Sequence, residues 1–369
     1  MGGLRSRIAV VAAALILGIC VFVYGKVDER RAVPKGPALP AQGIGRTVGV
    51  VEQFPLGGAR FTQLVEESCR YCGYGSVQQF HEWLWKAVSA QPALLGGPGS
   101  SSLQDAVRNE AQRLRSAAAK AQRAKAEVDL CRRLHRFVKA AIPRFSLDRG
   151  YEFSNVVRYG ERQCLLQATL LAGVLQACGV DCGVAMVYRN PQGQESNNGH
   201  AVTLVKLADG RDLLLDASDP EPFAKHQGLL VRIDGYQYVV PLYQDEYLVG
   251  YRLQVNGREM QTRFVRPLDY DFVRSQFWFY RGERAPGGLL AARRTSRGLA
   301  ASVEALRKSV SICPGNNLAV FSLARAYLMQ GNAGLAVEFV RRAHSLYQQY
   351  GWEPPGPKQF LRVVKAPVR

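Results

Sequence analysis

Cys164, His200 and Asp216 follow one another in the order that thiol acyl-transfer chemistry needs, and each lies in a local sequence suited to its part. A thiol requires a base to ionise it, and the base requires a carboxylate or amide to orient it. Cys164 sits where a helix should begin, in Gly160-Glu-Arg-Gln-Cys164-Leu-Leu-Gln-Ala. Unpaired amides and the helix dipole at such a start stabilise an anion, lower a thiol pKa and can hold an oxyanion. The run after it (Leu165, Leu166, Leu170, Leu171, Val174, Leu175) is apolar nearly all round, as a buried central helix should be, and Gly179 ends it. His200 opens a strand and Asp216 ends the next one.

The turn between those strands decides whether the two side chains meet. A two-residue turn at Asp209-Gly210 pairs Thr203 with Asp216 and leaves His200 on the opposite face. A three-residue turn, with Gly210 left-handed, pairs Leu207 with Arg211 and Val202 with Asp216; His200 and Asp216 then share a face as diagonal neighbours. We expect the three-residue turn. Taken singly, Cys164 reads equally as a buried structural thiol, His200 as a satisfied strand histidine and Asp216 as a turn residue before Ala217-Ser218-Asp219-Pro220. Their shared order and context favour a triad. His81, His135, His226 and His344 fall in an N-terminal segment, a basic helix, a loop and a repeat, and compete less well.

Gly160-x-x-x-Cys164 with Ala168, Leu171 and Leu175-Gln-Ala-Cys-Gly-Val180, then a strand ending in Tyr188, His200-Ala201, Gly210 and Leu215-Asp216-Ala-Ser218, resembles the transglutaminase-like superfamily. The resemblance spans Asn155 to Phe223. Val202 stands where many members carry an aromatic residue, and Glu161-Arg-Gln163 is not the commonest approach to the cysteine. The resemblance implies an α+β, papain-like fold, with the nucleophile helix packed on an antiparallel sheet. It also implies Cys164 as nucleophile, His200 as general base and acid, and Asp216 as the orienting group. Members include protein-crosslinking transglutaminases, peptidases and enzymes that remove glycans from asparagine.

The expected reaction is attack of Cys164 on an amide carbonyl, giving a thioester that water or a second amine resolves. Hydrolysis is favoured because nothing in the sequence marks an amine site. The substrate is a protein or peptide. The rival is a catalytically silent scaffold or binding protein that recruits a partner through its C-terminal helices. An arylamine acyltransferase using the same residue types would need a pocket for a carrier thioester, which the sequence does not suggest. No calcium loop, phosphate loop or dinucleotide fingerprint occurs, so no cofactor is expected. Cys69-x-x-Cys72 with His81 nearby lacks a fourth zinc ligand, so no metal is expected either. Cys69, Cys72, Cys178 and Cys182 read as disulfides or as free thiols.

The chain of 369 residues is 47% hydrophobic and 21% charged, the content of a folded globular protein rather than a disordered one. Its net charge of +18 invites nucleic acid or anionic membrane as partner. Without a nucleic-acid-binding signature, a solvated Arg-rich surface is the simpler reading, and no specific nucleic acid is expected. Arg5 and Arg7 precede the uncharged run Ile8–Tyr24, 17 residues at the short end of a membrane span. No Ala-x-Ala cleavage site follows, so residues 1–25 read as an uncleaved single-pass anchor with an extracytoplasmic body. Arg5 and Arg7 favour an inside N-terminus; Lys26, Arg30, Arg31 and Lys35 pull the other way.

Residues 26–60, rich in Pro, Gly and charge, read as a tether, and 61–129 as an N-terminal helical segment. Ser102 and Asp105 open a stretch without a breaker to Ile142, one long helix or two abutting ones. Residues 130–265 form the expected catalytic domain, with Gln194–Gly199 an exposed loop and Gly228–Phe264 alternating as strands around turns at Asp234-Gly235 and Asn256-Gly257. In 266–350, Leu323, Ala324, Tyr327, Gly331, Ala336 and Ala343 resemble a tetratricopeptide repeat, with Ser302, Leu306 and Ser309 in a preceding second helix. So short a unit needs a neighbour, and we expect it to dock on the enzyme domain. Residues 351–369 read as a tail.

Overall fold

The computed structural model describes residues 53–91, 93–95 and 99–365. The expected anchor at 1–25 and most of the tether lie outside the described residues. Among the described residues no helix is long and apolar enough to cross a membrane. The tether ends sooner than residue 60. Phe54 is buried, its N–H donates to Gln176 Oε1 at 2.7 Å, and the Leu56 N–H bonds the Gly173 carbonyl at 2.8 Å. One aromatic side chain with a cavity to fill outweighs the flexible composition around it.

Four helices come first: α1 (Ala59–Cys72), α2 (Val77–Ser89), α3 (Leu103–Arg115) and α4 (Lys120–Ala141). Ser76 and Ser102 cap α2 and α3 by accepting the Gln79 and Asp105 N–H groups. The stretch without a breaker is thus two helices. The Ser116 hydroxyl bends back onto the Arg113 carbonyl at 2.9 Å and closes α3, a local competition that leaves no mark of its own in the sequence. Helix α4 also runs straight through the boundary expected at 129/130.

A short strand β1 (Arg144–Phe145), helix α5 (Phe153–Tyr159) and strand β2 (Glu161–Arg162) then lead into α6 (Cys164–Ala177). Every residue of α6 from Cys164 to Gln176 is buried, as its uniformly apolar sequence requires. It packs on β3 (Asp181–Arg189) and β4 (Glu195–Lys206). Two side-chain bonds fix its height. Thr203 Oγ1 donates to the Ala168 carbonyl at 3.0 Å, and Gln176 Nε2 to the Cys182 carbonyl at 2.8 Å.

The remaining strands are β5 (Asp212–Leu215), β6 (Gly228–Ile233), β7 (Gly235–Gln244), β8 (Tyr247–Leu253) and β9 (Glu259–Gln261). They join β3 and β4 in one antiparallel sheet, ordered β5-β4-β3-β6-β7-β8-β9. Strand β5 also meets β8 at Asp212↔Leu248, so the sheet curls into a barrel-like form. The strands after Gly228 therefore extend and close the same sheet rather than forming a separate unit. Val187, Val202, Leu204, Leu229, Val231, Val239 and Tyr251 fill one face of it, while Val184, Met186, Ala201, Val205, Leu213 and Leu215 pack with α6 on the other. At the closure, the half-buried Lys206 Nζ donates to Asp212 Oδ2 at 2.6 Å and to the Thr262 and Val265 carbonyls, and Tyr251 Oη donates to the same Asp212 oxygen.

Five helices follow: α7 (Tyr270–Glu283), α8 (Ser296–Ile312), α9 (Asn317–Met329), α10 (Ala333–Tyr350) and α11 (Pro355–Lys365), the last inside the expected tail. Helices α7 and α8 pack as one hairpin, α9 and α10 as another. Ser302, Leu306, Ser309, Leu323, Ala324, Ala336 and Ala343 are all buried in them. This helical part is seated on the sheet. Asn317 Nδ2 donates to Tyr238 Oη at 2.7 Å, and Trp352 packs on Tyr188 and Tyr238 at 4.4 and 5.0 Å between ring centroids.

Charge ties the two helical parts together. Glu67 of α1 accepts from Arg274 and Trp278 of α7. Arg281 of α7, 1% exposed, grips Glu152 at the start of α5, 2% exposed, through two bonds of 2.7 and 2.9 Å. Breaking a buried pair strands the partner charge. Arg281→Met should cost about 3–5 kcal/mol in urea denaturation, whereas the double variant Arg281→Met/Glu152→Leu, which leaves Glu67 still paired with Arg274, should recover most of that loss. Equal losses in the single and double variants would refute this account.

Candidate active site

The hairpin from β4 to β5 has the three-residue turn. The Leu207 N–H bonds the Arg211 carbonyl, Gly210 has φ +92°, and the ladder continues through Lys206↔Asp212 to Thr203↔Leu215. A left-handed residue is needed there, and glycine adopts it without a Cβ clash. Glu127 of α4 holds the turn by accepting the Ala208 N–H at 2.9 Å. His200 and Asp216 therefore share a face, and His200 Nε2 donates to Asp216 Oδ2 at 2.8 Å.

The start of β4 differs from expectation. Gln194–Gly199 is not simply an exposed loop, because β4 begins at Glu195 and pairs Arg189↔Glu195 before a bulge, with Val187↔His200 beyond it. The Arg189–Glu195 ion pair of 2.8 Å favours pairing of an otherwise polar segment. The bulge closes at Gly199, φ +69°, immediately before His200, and re-aims the strand there.

Cys164 lies at the first position of α6. Gln163 caps the helix, its Oε1 accepting the Leu165 N–H at 3.2 Å. Burial pushes the Cys164 thiol up. The charge and hydrogen bond of His200, with the Ala201 N–H, outweigh burial and hold the thiol below its ordinary range. Burial likewise opposes a charge on His200, yet the Cys164 thiolate and Asp216 hold the imidazole well above its ordinary value. The two shifts run in the directions that favour a thiolate–imidazolium pair. Since His200 Nε2 is spent on Asp216, Nδ1 is the nitrogen that faces the sulfur. Cys164 is 8% exposed and the His200 side chain 27%, so the site opens to solvent on the histidine's side.

The other described cysteines set a contrast. None of the seven described cysteines, Cys164 included, forms a disulfide. Burial pushes Cys178 up to about 12, and raises Cys131, Cys182 and Cys313 as well. Those thiols have no imidazole to offset desolvation and read as packing groups.

Asp216 is buried, which alone would raise its pKa. Hydrogen bonds from His200 and from a second histidine, His226, hold it well below the usual carboxylate range. His226 Nε2 meets the same Oδ2 at 2.9 Å, and the Ser218 N–H donates to Oδ1 at 2.8 Å. His226 is a residue that sequence reasoning passed over as a loop histidine. Tyr280 of α7 is another. It is buried beside Gln163 and Cys164, and burial together with the sulfur's charge keeps its phenol protonated far above neutral pH. Neither residue has a spacing relative to Cys164 that a motif could register.

His200, Asp216 and His226 each offer one metal-ligating atom, all within 4.8 Å of one another. Both Nε2 atoms already bond Asp216 Oδ2, so a cation would have to displace two hydrogen bonds to enter. Neither the protein-family models nor the curated proteins compared with this chain match it.

A depressed thiol pKa means that thiolate persists as pH falls below the ordinary thiol range, and is lost only at the lower, folded value. In His200→Ala the largest stabilising partner is gone and burial is left, so the thiol pKa rises. Alkylation of Cys164 by iodoacetamide at pH 6 should fall at least tenfold in His200→Ala, with the gap narrowing only as pH rises towards the variant's higher thiol pKa. Equal rates at pH 6 would remove His200 as the activating base.

Proposed function

We propose that this chain is a thiol acyl-transfer enzyme acting on amide bonds, built as a transglutaminase-like, papain-like core. One observation carries the reading: among the described buried cysteines, whose thiols burial drives upward, Cys164 alone is held down, by an imidazole that a buried carboxylate grips at 2.8 Å. Helix α6, packed on the antiparallel sheet with the cysteine at its first position, is the arrangement the resemblance implies.

In the proposed first step the Cys164 thiolate attacks the amide carbon. The C–S bond forms, the C–N bond breaks, and His200 gives its proton to the leaving amine. In this scheme the Cys164 N–H at the mouth of α6 would donate to the developing oxyanion, with the Tyr280 phenol nearby, hydrogen-bonded to Gln163. In the second step water gives a proton to His200 and attacks the thioester, releasing the acid and restoring the thiolate. A primary amine in place of water yields a transamidated product. Asp216 keeps Nε2 protonated throughout, so that Nδ1 does the proton transfer. No cofactor enters this scheme, and the substrate is a protein or peptide. Residues 1–25 would tether the enzyme to a membrane.

The rival scaffold reading draws on one observation. Cys164 is 8% exposed with Tyr280 beside it, which leaves little room at the sulfur itself. The helical hairpins already spend a face on the sheet through Asn317 and Trp352, which narrows what remains for a partner.

Incubation of the soluble part with a peptide library, with and without a primary amine, should give cleaved or amine-tagged peptides and a thioester adduct at Cys164 by mass spectrometry. Cys164→Ala should abolish both. Intact, folded protein whose Cys164 resists even a small electrophile would favour the scaffold instead.

A further inference from the structure

Two histidines converge on one oxygen. His200 and His226 both donate Nε2–H to Asp216 Oδ2, at 2.8 and 2.9 Å, with their rings 5.5 Å apart. A carboxylate oxygen has two lone-pair sites, and here both are used. His226 is 3% exposed, and its Nδ1 is buried without a partner. Nδ1 therefore carries the lone pair and Nε2 the proton, since a proton on Nδ1 would be a second buried donor left unsatisfied. The ring makes one hydrogen bond, to Asp216. Its backbone is clamped: Tyr243 Oη of β7 donates to the His226 carbonyl at 2.8 Å, and the Gln227 N–H bonds the Arg189 carbonyl.

We propose that His226 is a positioning residue for the acyl-transfer site, whose N–H keeps Asp216 ionised and stops it from rotating away from His200. This inference rests on the reading of Cys164, His200 and Asp216 as a triad. A buried carboxylate with fewer donors binds a proton more readily. An Asp216 that took the proton from Nε2 would release the tautomer that turns Nδ1 to the sulfur. With His226 in place the second lone pair of Oδ2 is filled, and Ser218 pins Oδ1. The titratable groups facing the pair are Cys164, with Tyr280 beyond it, and His135 of α4, which senses the charge of Asp216 while bonding the Asp219 carbonyl at 3.1 Å. Among the described residues, His200 and His226 are the side chains that donate to Oδ2.

Reach separates this role from simple packing. Glutamine sets an N–H where His226 has Nε2; asparagine, one bond shorter, sets it near Nδ1 and cannot reach Oδ2. The test is the pH profile of Cys164 alkylation in the full chain, with thermal unfolding as a check on folding. His226→Gln should keep the wild-type profile. His226→Asn should move its acid limb up by about one pH unit, a tenfold slower reaction on that limb. If His226→Asn does not fold, His226→Leu, which removes both the donor and the orphaned nitrogen, should show the same shift. Folded variants that all share the wild-type profile overturn the inference while leaving the triad standing, as does a glutamine variant as slow as the asparagine one. A wild-type profile like that of an ordinary thiol overturns the triad reading itself.

Discussion

An ionised carboxylate cut off from water is the constraint around which this protein is arranged. Asp216 is buried, and three N–H donors replace the water it has lost. Each donor comes from a different stretch of chain: β4 just past its bulge, the turn just past Asp216, and the loop that leads into β6. A buried charge without such partners would neutralise itself or unfold its surroundings. The hairpin register, the return of the 217–227 loop and the clamp from Tyr243 are thus conditions for one side chain to stay charged. The proposed thiolate–imidazolium pair would be built upon that charge, because an imidazole held to a carboxylate is easier to keep protonated beside a sulfur.

The rest of the molecule supplies rigidity at the places this requires. Helix α6 is walled on all sides, and its height against the sheet is set by Thr203 and Gln176. Helix α7 connects three parts at once. It pairs with α1 through Glu67, holds the start of α5 through Arg281, and brings Tyr280 beside the sulfur. Segments far apart in the chain therefore brace the elements around Cys164. This explains why buried ion pairs, which are costly to form, lie where α7 meets the elements that precede Cys164.

Much of the candidate site was legible in the sequence because it depends on local rules. The helix start at Cys164 follows from a single glycine, Gly160, in a polar approach and from the apolar run after it. The facing of His200 and Asp216 follows from counting residues around Gly210. What was not legible depends on long-range return of the chain. His226 lies in a stretch without periodicity, and it reaches Asp216 because β6 pairs with β3 and pulls the loop across the strand ends. Tyr280 lies on a helix with its own amphipathic logic. Closure of the sheet rests on Lys206, Asp212 and Tyr251, three polar residues whose pairing no alternation pattern encodes. The pairing of Glu195 was hidden for the opposite reason, since its polar neighbours resemble a loop, and the cross-strand arginine that favours pairing comes from the preceding strand.

The tip of the hairpin, Ala208-Asp209-Gly210, touches none of the proposed triad's side chains, yet its length alone fixes which way two of them point. Side chains alternate along a strand, so one codon gained or lost at this tip would leave Cys164, His200 and Asp216 spelled as before while turning base and acid away from each other. A lineage that has given up the chemistry could thus keep all three letters intact. Its silence would be written in the spacing between them, where an inventory of catalytic residues does not look.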